Sequence, residues 1–264
     1  MRELLGRMHA WMAAYMKSFY SEDAQVQQGI LIKEKHTGYV TANCVELAKF
    51  LNLSAHDTDL AEIIGLFHDA GRFHQYSLYK TFNDADSEDH ADLALKVIDE
   101  LNFFQELSAA DLELVKFAIQ NHNKKVIAPT DDERKILFAK IIRDADKLDI
   151  YRVLEPFLAQ ENADKMPQFI KSKGNLVADI SPDFVENFVT GEQADYTKIR
   201  TNGDRKIVRL MWIYDVNFSW TMKKIVERGY IEKIISNLPM DEKISEGVRR
   251  LKLLVEKKIK GVLI

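Results

Sequence analysis

Six residues of this 264-residue chain have the chemistry of metal ligands: His36, His68, Asp69, His90, His122 and Asp146. His36 lies between Ile32 and Val40, on the apolar side of a helical stretch. The pair His68-Asp69 closes an apolar run containing Leu60, Ile63, Ile64 and Phe67. His90 falls in the first turn of a helical run, and His122 falls near the end of another. Asp146 ends the segment Ile141-Ile142-Arg143-Asp144-Ala145-Asp146. Singly, each histidine is what a packed side chain with one hydrogen bond looks like, and Asp-x-Asp near a helix end is ordinarily solvated. As a set, they fall near the ends of four or five successive helices, which is how a helical core brings ligands to one point. Imidazole and carboxylate without thiolate suit Mn, Fe, Co, Ni, Zn or Mg rather than a soft metal. Other catalytic patterns are missing: there is no phosphate-binding G-x-x-x-x-G-K-[ST], no G-x-G-x-x-G, no G-x-S-x-G and no H-E-x-x-H.

The elements that must position these residues read as helices. Ser87, Ser108 and Thr130 each precede an apolar run of helical spacing, and Thr130 with Glu133 has the form of a capping box. Ser181-Pro182 places a cap residue before a proline that a first helical turn tolerates. Ile207, Leu210, Met211, Tyr214 and Phe218 form one stripe. Gly71 can terminate the helix ending in His68-Asp69. Asn202-Gly203 precedes a helical stripe and reads as a loop, and no alternating strand pattern appears. The expected fold is all-α. The least periodic stretch, from about Gln160 to Asp179 with Pro167, Lys171, Lys173 and Gly174, reads as a connection. It separates a first helical unit, residues 1–160, from C-terminal helices at 161–264 that are expected to pack on the same core.

Composition sets the outer bounds. The net charge of −4 gives no basic excess to neutralise a nucleic-acid duplex. Cys44, the single cysteine, excludes an internal disulfide and a four-cysteine zinc site, and it fits a reducing cytoplasm. No stretch reaches the roughly 18 uncharged apolar residues of a spanning helix. Leu4, Leu5, Met8, Trp11, Met12, Tyr15, Met16 and Phe19 make an N-terminal apolar face, interrupted by Glu3, Arg7 and Lys17, so it reads as an amphipathic helix. The aromatic group Trp212, Tyr214, Phe218 and Trp220 reads as core at helical spacing rather than a nucleobase platform.

The order His36, His68-Asp69, Asp146 resembles the HD-domain superfamily of metal-dependent phosphohydrolases. The likeness is close at His68-Asp69-Ala70-Gly71-Arg72-Phe73 and again at Ala145-Asp146-Lys147-Leu148, and it covers roughly residues 30 to 155. An HD dipeptide alone is a weak signal, since His56-Asp57 is a second one here. The resemblance implies a compact multi-helix bundle with added C-terminal helices. It makes His36, His68, Asp69 and Asp146 ligands of a first divalent metal. His90 and His122 match the extra histidines of two-metal members, with Asp69 bridging. Asn123 stands where such members often have a paired histidine. The implied activity is hydrolysis of a small phosphorylated molecule, with nucleotides the expected class, by metal-activated water. Arg72 and Lys147 are its candidate phosphate-facing cations, although Lys147 equally suits a helix link to Asp144. A di-iron oxygenase and a non-catalytic ligand-binding protein are the alternatives. His9 and His56 match no ligand position and are expected on a helix surface and in a loop, and His74 at the pocket mouth.

Overall fold

A computed structural model describes residues 1–157, 180–192, 195 and 198–261. These residues are predominantly helical, and no β-strand element occurs among them, so the all-α expectation holds. The chain divides into two units, 1–150 and 151–264. The expected connection from Gln160 to Asp179 lies outside the described residues.

The first unit holds α1 (Arg2–Lys17), α2 (Ala24–Phe50), α3 (Ala55–Phe67), α4 (Ala70–Tyr79), α5 (His90–Asp99), α6 (Ala109–Asn121) and most of α7 (Glu133–Leu154). Short polar side chains start several of them by accepting otherwise orphaned backbone N–H groups. Asp23 accepts from Gln25 and Val26, Ser54 from Asp57, and Ser108 from Asp111, the last as its spacing predicts. Two expected caps shift by two residues. The α5 cap is Asp89, which accepts from Ala91 and Asp92; Ser87 instead takes a hydrogen bond from Gln75 and gives one to the Asn83 carbonyl. The Thr130 box does not form either: Asp132 accepts from Arg134 and Lys135 at the start of α7. In both places two cap-competent residues stand close together, and the tertiary position of the helix chooses between them.

His56 lies in the first turn of α3 rather than in a loop. Its Nε2 is 3.0 Å from Asp111 Oδ2, while Arg134 reaches Asp57 Oδ1 at 2.6 Å and Asp111 Oδ1 at 3.1 Å. The second HD dipeptide therefore fastens the first turns of α3 and α6 to the start of α7. α1 buries Leu4, Leu5, Met8 and Met12, and its Trp11 stacks on Tyr15 at 4.7 Å and on Phe67 at 5.9 Å.

Two glycines set how closely helices approach. A Cβ on Gly65 in α3 would lie 2.8 Å from the Thr41 Cα of α2. Gly71 is not a terminator: α3 has already ended at Phe67, and Gly71 is the second residue of α4. A Cβ there would lie 2.3 Å from the His90 carbonyl oxygen and 2.6 Å from the Ala94 nitrogen, so its role is to let α4 lie against α5.

The second unit contains α8 (Pro182–Thr190), α9 (Asn202–Met211), α10 (Ser219–Glu227), α11 (Tyr230–Ile235) and α12 (Glu242–Ile259). Pro182 occupies the first turn of α8 as expected. Asn202-Gly203 lies in the first turn of α9 and not in a loop, because Thr201 and Asp204 form a reciprocal capping box around it. The Ile207-to-Phe218 stripe is also broken: α9 ends at Met211, a 3-10 turn follows over Trp212–Asp215, and Phe218 caps α10. Trp212, Tyr214, Phe218 and Trp220 are all half-buried. Tyr151 stacks on Tyr230 and meets Trp212 edge-on, each at 5.6 Å.

Candidate metal centre

The six candidate ligands come from different helices of the first unit and converge. His36 sits in the middle of α2 and Asp146 in the middle of α7, not at helix ends. His68 and Asp69 form the α3–α4 junction, His90 opens α5, and His122 follows α6 directly. Asp69 occupies the position before α4 where an aspartate would normally cap, yet its side chain makes no cap hydrogen bond. Its carboxylate points into the cluster instead. Oδ2 lies 3.4 Å from His36 Nε2 and 3.5 Å from His68 Nε2; Oδ1 lies 3.5 Å from His90 Nε2 and 3.9 Å from His122 Nε2. Asp146 Oδ1 closes the first side, 3.1 Å from His36 Nε2. Two overlapping groups, His36-His68-Asp146 and His68-Asp69-His122, each bring three ligand atoms within 4.8 Å of one another.

The hydrogen bonds on the far side of each ring say which nitrogen faces the centre. His68 Nδ1 is 2.8 Å from the Gly65 carbonyl and His122 Nδ1 is 2.6 Å from the Ile119 carbonyl. A carbonyl only accepts, so both Nδ1 atoms carry the proton, and in the neutral ring Nε2 then bears a lone pair. His36 Nδ1 donates to Asp149 Oδ2 at 2.7 Å and His90 Nδ1 to Asp84 Oδ2 at 2.6 Å. All four rings thus turn Nε2 inward. The Nε2 atoms of His36 and His68 are buried and have no hydrogen-bond partner, and those of His90 and His122 face each other at 2.9 Å. Inward lone pairs backed by oxygen acceptors on Nδ1 are the arrangement that orients imidazole on a cation, so these residues fit a divalent metal.

Charge in the cluster is tightly set. Burial alone would raise the Asp69 carboxyl, but Lys33 foremost, with His68, Arg72 and His90, holds it well below the carboxylate range. Burial pushes His68 down to about 4 and, with Arg72, His90 down to about 3; burial lowers His122 as well. His36 moves the other way, because its contacts with Asp146 and Asp149 outweigh burial and Lys33. The sign for stability follows. A histidine depressed in the fold supports stability above its unfolded value near 6.5, and this is lost as pH falls toward the folded value. His36 opposes the trend, one ring against three. Chelator-treated protein is therefore expected to lose stability between pH 6.5 and 4, by up to about 1.4 kcal/mol per pH unit for each depressed ring. Urea midpoints at pH 7.5 and pH 5 check this; equal midpoints would contradict it.

Several participants carry no sequence signal of their own. Lys33 Nζ is 2.5 Å from Asp69 Oδ2. Asp149 and Asp84 orient His36 and His90. Asp84 also accepts from Arg72 Nη1 at 2.8 Å, and the same Nη1 meets the Phe82 carbonyl at 2.5 Å and Gln75 Oε1 at 2.8 Å. Arg72 Nε is 3.5 Å from Asp69 Oδ1. Its guanidinium is thus part of the cluster. Lys147, next to Asp146 on α7, is half-buried. Asn123 donates to Asp89 Oδ1 at 3.1 Å and Asp84 Oδ2 at 3.3 Å, beside His90. A third acidic group, Asp84-Asp89-His90, is held by Arg72, Lys124 and the α5 cap. His9 is on the α1 surface against Glu62, as expected, and His74 is exposed on α4.

No helix among the described residues is long and apolar enough to cross a membrane. Compared with curated proteins and with solved structures, the chain has no match in either. It does match a family model, that of the HD domain, over residues 34–151. That span contains all six converging residues. HD domains bind divalent metals and are mostly metal-dependent phosphohydrolases. Sequence pattern, helical fold and family match thus agree on a resemblance to the HD domain over residues 34–151.

Proposed function

We propose that this protein hydrolyses phosphate esters of small molecules, with nucleotides the expected class, in a metal-dependent reaction. The observation that carries the reading is the division of one buried carboxylate: Asp69 offers Oδ2 to His36 and His68 and Oδ1 to His90 and His122, with Lys33 and Arg72 against the same group. His36, His68, Asp69 and Asp146 would hold one divalent ion, and Asp69, His90 and His122 a second. Such ions supply activated water at neutral pH and charge for the phosphoryl oxygens. The chain does the rest. Burial keeps His68, His90 and His122 neutral and ready to donate lone pairs; the Nδ1 acceptors fix their rings; and fixed cations face the charge that develops on phosphate.

Metal analysis of the purified protein, with a panel of phosphate mono- and diesters, tests the proposal. Turnover of one ester class that is abolished by chelator and restored by a divalent ion supports it. Iron content with oxygen consumption and no phosphate release would replace it with an oxygenase. Titration with excess metal is expected to give two ions per chain. His122→Ala should lose the second and keep the first, whereas His36→Ala should disturb the first. One ion in the unaltered protein would sink the two-site arrangement and leave His122 a substrate contact.

A further inference from the structure

Lys33 lies one turn before His36 on α2, so the same helix face delivers both to the centre. Its side chain is half-buried, with 16% exposed. Withdrawing a lysine from water is costly unless the charge is matched, and one partner matches it here: Asp69 Oδ2, at 2.5 Å. An ammonium has three donors, and this bond uses one. The other two have no acceptor among the described residues. Beneath the ammonium is the ring of Phe82, 5.4 Å from Nζ to the centroid. The same ring lies 5.9 Å from the Arg72 guanidinium carbon and stacks on Tyr76 at 4.4 Å. Two cations therefore share one aromatic floor and one carboxylate. They differ in what they have left to give. Arg72 Nη1 already meets three acceptors, which ties that arm of the fork to the protein, while its Nε is buried beside Asp69 Oδ1 at 3.5 Å with no hydrogen-bond partner. Lys33 retains two donors on a flexible stem.

Resting on the phosphohydrolase reading above, we infer that Lys33 is a substrate-binding residue that takes a non-bridging phosphate oxygen while its third donor stays on Asp69. Arg72 Nη1 then holds the Asp84–Phe82 stretch in place, and its fixed charge stays beside Asp69. A phosphoryl group lying against Asp69's ligand set would meet Lys33 from the α2 side. Phe82 keeps the ammonium from turning away, by cation–π attraction from below. No sequence motif marks this lysine; the fold brings it to Asp69 across 36 residues.

The test uses the metal-loaded full-length protein, with inorganic phosphate as the probe. Lys33→Gln is expected to keep its metal stoichiometry, to bind inorganic phosphate at least about 10-fold more weakly, and to lose about 10²-fold in kcat/KM on whichever ester the unaltered protein turns over. Lys33→Arg should recover part of both. If Lys33→Gln binds phosphate as tightly as the unaltered protein, or loses metal, the lysine is only a counter-charge for Asp69 and the inference falls. If Lys33→Gln folds poorly, Phe82→Leu, which leaves both charges in place, reads the same site: unchanged phosphate binding overturns the shared cation floor. Failure of the underlying reading looks different, since the unaltered protein would then hydrolyse no ester with any divalent ion.

Discussion

Asp69→Asn is expected to abolish bound metal and to lower any metal-dependent turnover by at least about 10³-fold, the upper range for removing a single charge stabiliser. The side chain keeps its size, so the effect isolates charge. At present one carboxylate faces four imidazole nitrogens and takes Lys33 and Arg72 as well. An amide presents one acceptor and one donor end. Its NH₂ would confront either the His36–His68 lone pairs or the His90–His122 pair, and would satisfy a nitrogen that otherwise faces the ion. It would also leave Lys33 as a half-buried cation beside a neutral group. Removing one partner of a buried ion pair costs on the order of 3–5 kcal/mol, so the melting temperature should fall too. Metal content by elemental analysis, helicity by circular dichroism and turnover are measured together. A folded, active, metal-bearing Asp69→Asn protein would contradict the role given to this residue.

The second large effect is expected from Gly71→Ala. In a free helix this change would help by about 1 kcal/mol. Here the added carbon would meet the His90 carbonyl oxygen at 2.3 Å and the Ala94 nitrogen at 2.6 Å. Both are backbone, so no rotamer change relieves the contact and α4 must move off α5. Overpacking of this kind costs about 1–3 kcal/mol and occasionally more, and a rigid backbone contact belongs at the upper end. The melting temperature should drop by roughly 5–10 °C, at about 2–4 °C per kcal/mol for a chain of this size. The displacement also separates His90 from Asp69. Affinity for the second ion should therefore fall by about 10–100-fold, the scale for disturbing a ligand's support, with the first ion affected less. Calorimetric melting and metal titration check both parts; an unchanged melting temperature would mean that the interface between α4 and α5 has slack.

How much of this was legible in the sequence depended on whether the signal was local. His68-Asp69 followed by Gly71-Arg72, and Asp146-Lys147 far downstream, are short patterns whose order survives as sequence, and the structure brings His68, Asp69, Arg72 and Asp146 together with His36, His90 and His122. The helices were legible because apolar spacing repeats within one element. Lys33, Asp84 and Asp149 were not, because each matters through a partner elsewhere: Asp149 meets His36 across 113 residues, and no spacing rule relates them. Gly71 shows a different limit. A glycine after a helix suits a terminator and a close-packed helix equally, and only the neighbouring α5 decides. The same holds for Ser87 and Asp89, two good caps of which the packed position of His90 selects the second.

The acceptors behind the four histidines divide them by how far the chain must fold to set each ring. His68 and His122 bond carbonyls three residues back in their own helices, so their rings are aimed as soon as those turns form. His36 waits for Asp149 on α7, and His90 for Asp84 in the stretch between α4 and α5, where the only regular structure is one 3-10 turn over Asp84–Asp86. Each half of the centre thus joins one locally aimed ring to one aimed by a remote carboxylate. The remote anchor of the first half sits in a 22-residue helix, and that of the second sits in a single short turn. Local opening draws on the least supported segments first. If two ions bind as proposed, their exchange should therefore be unequal, with the His90–His122 half opening at a free-energy cost below that of global unfolding while the His36–Asp146 half stays closed until α7 itself gives way.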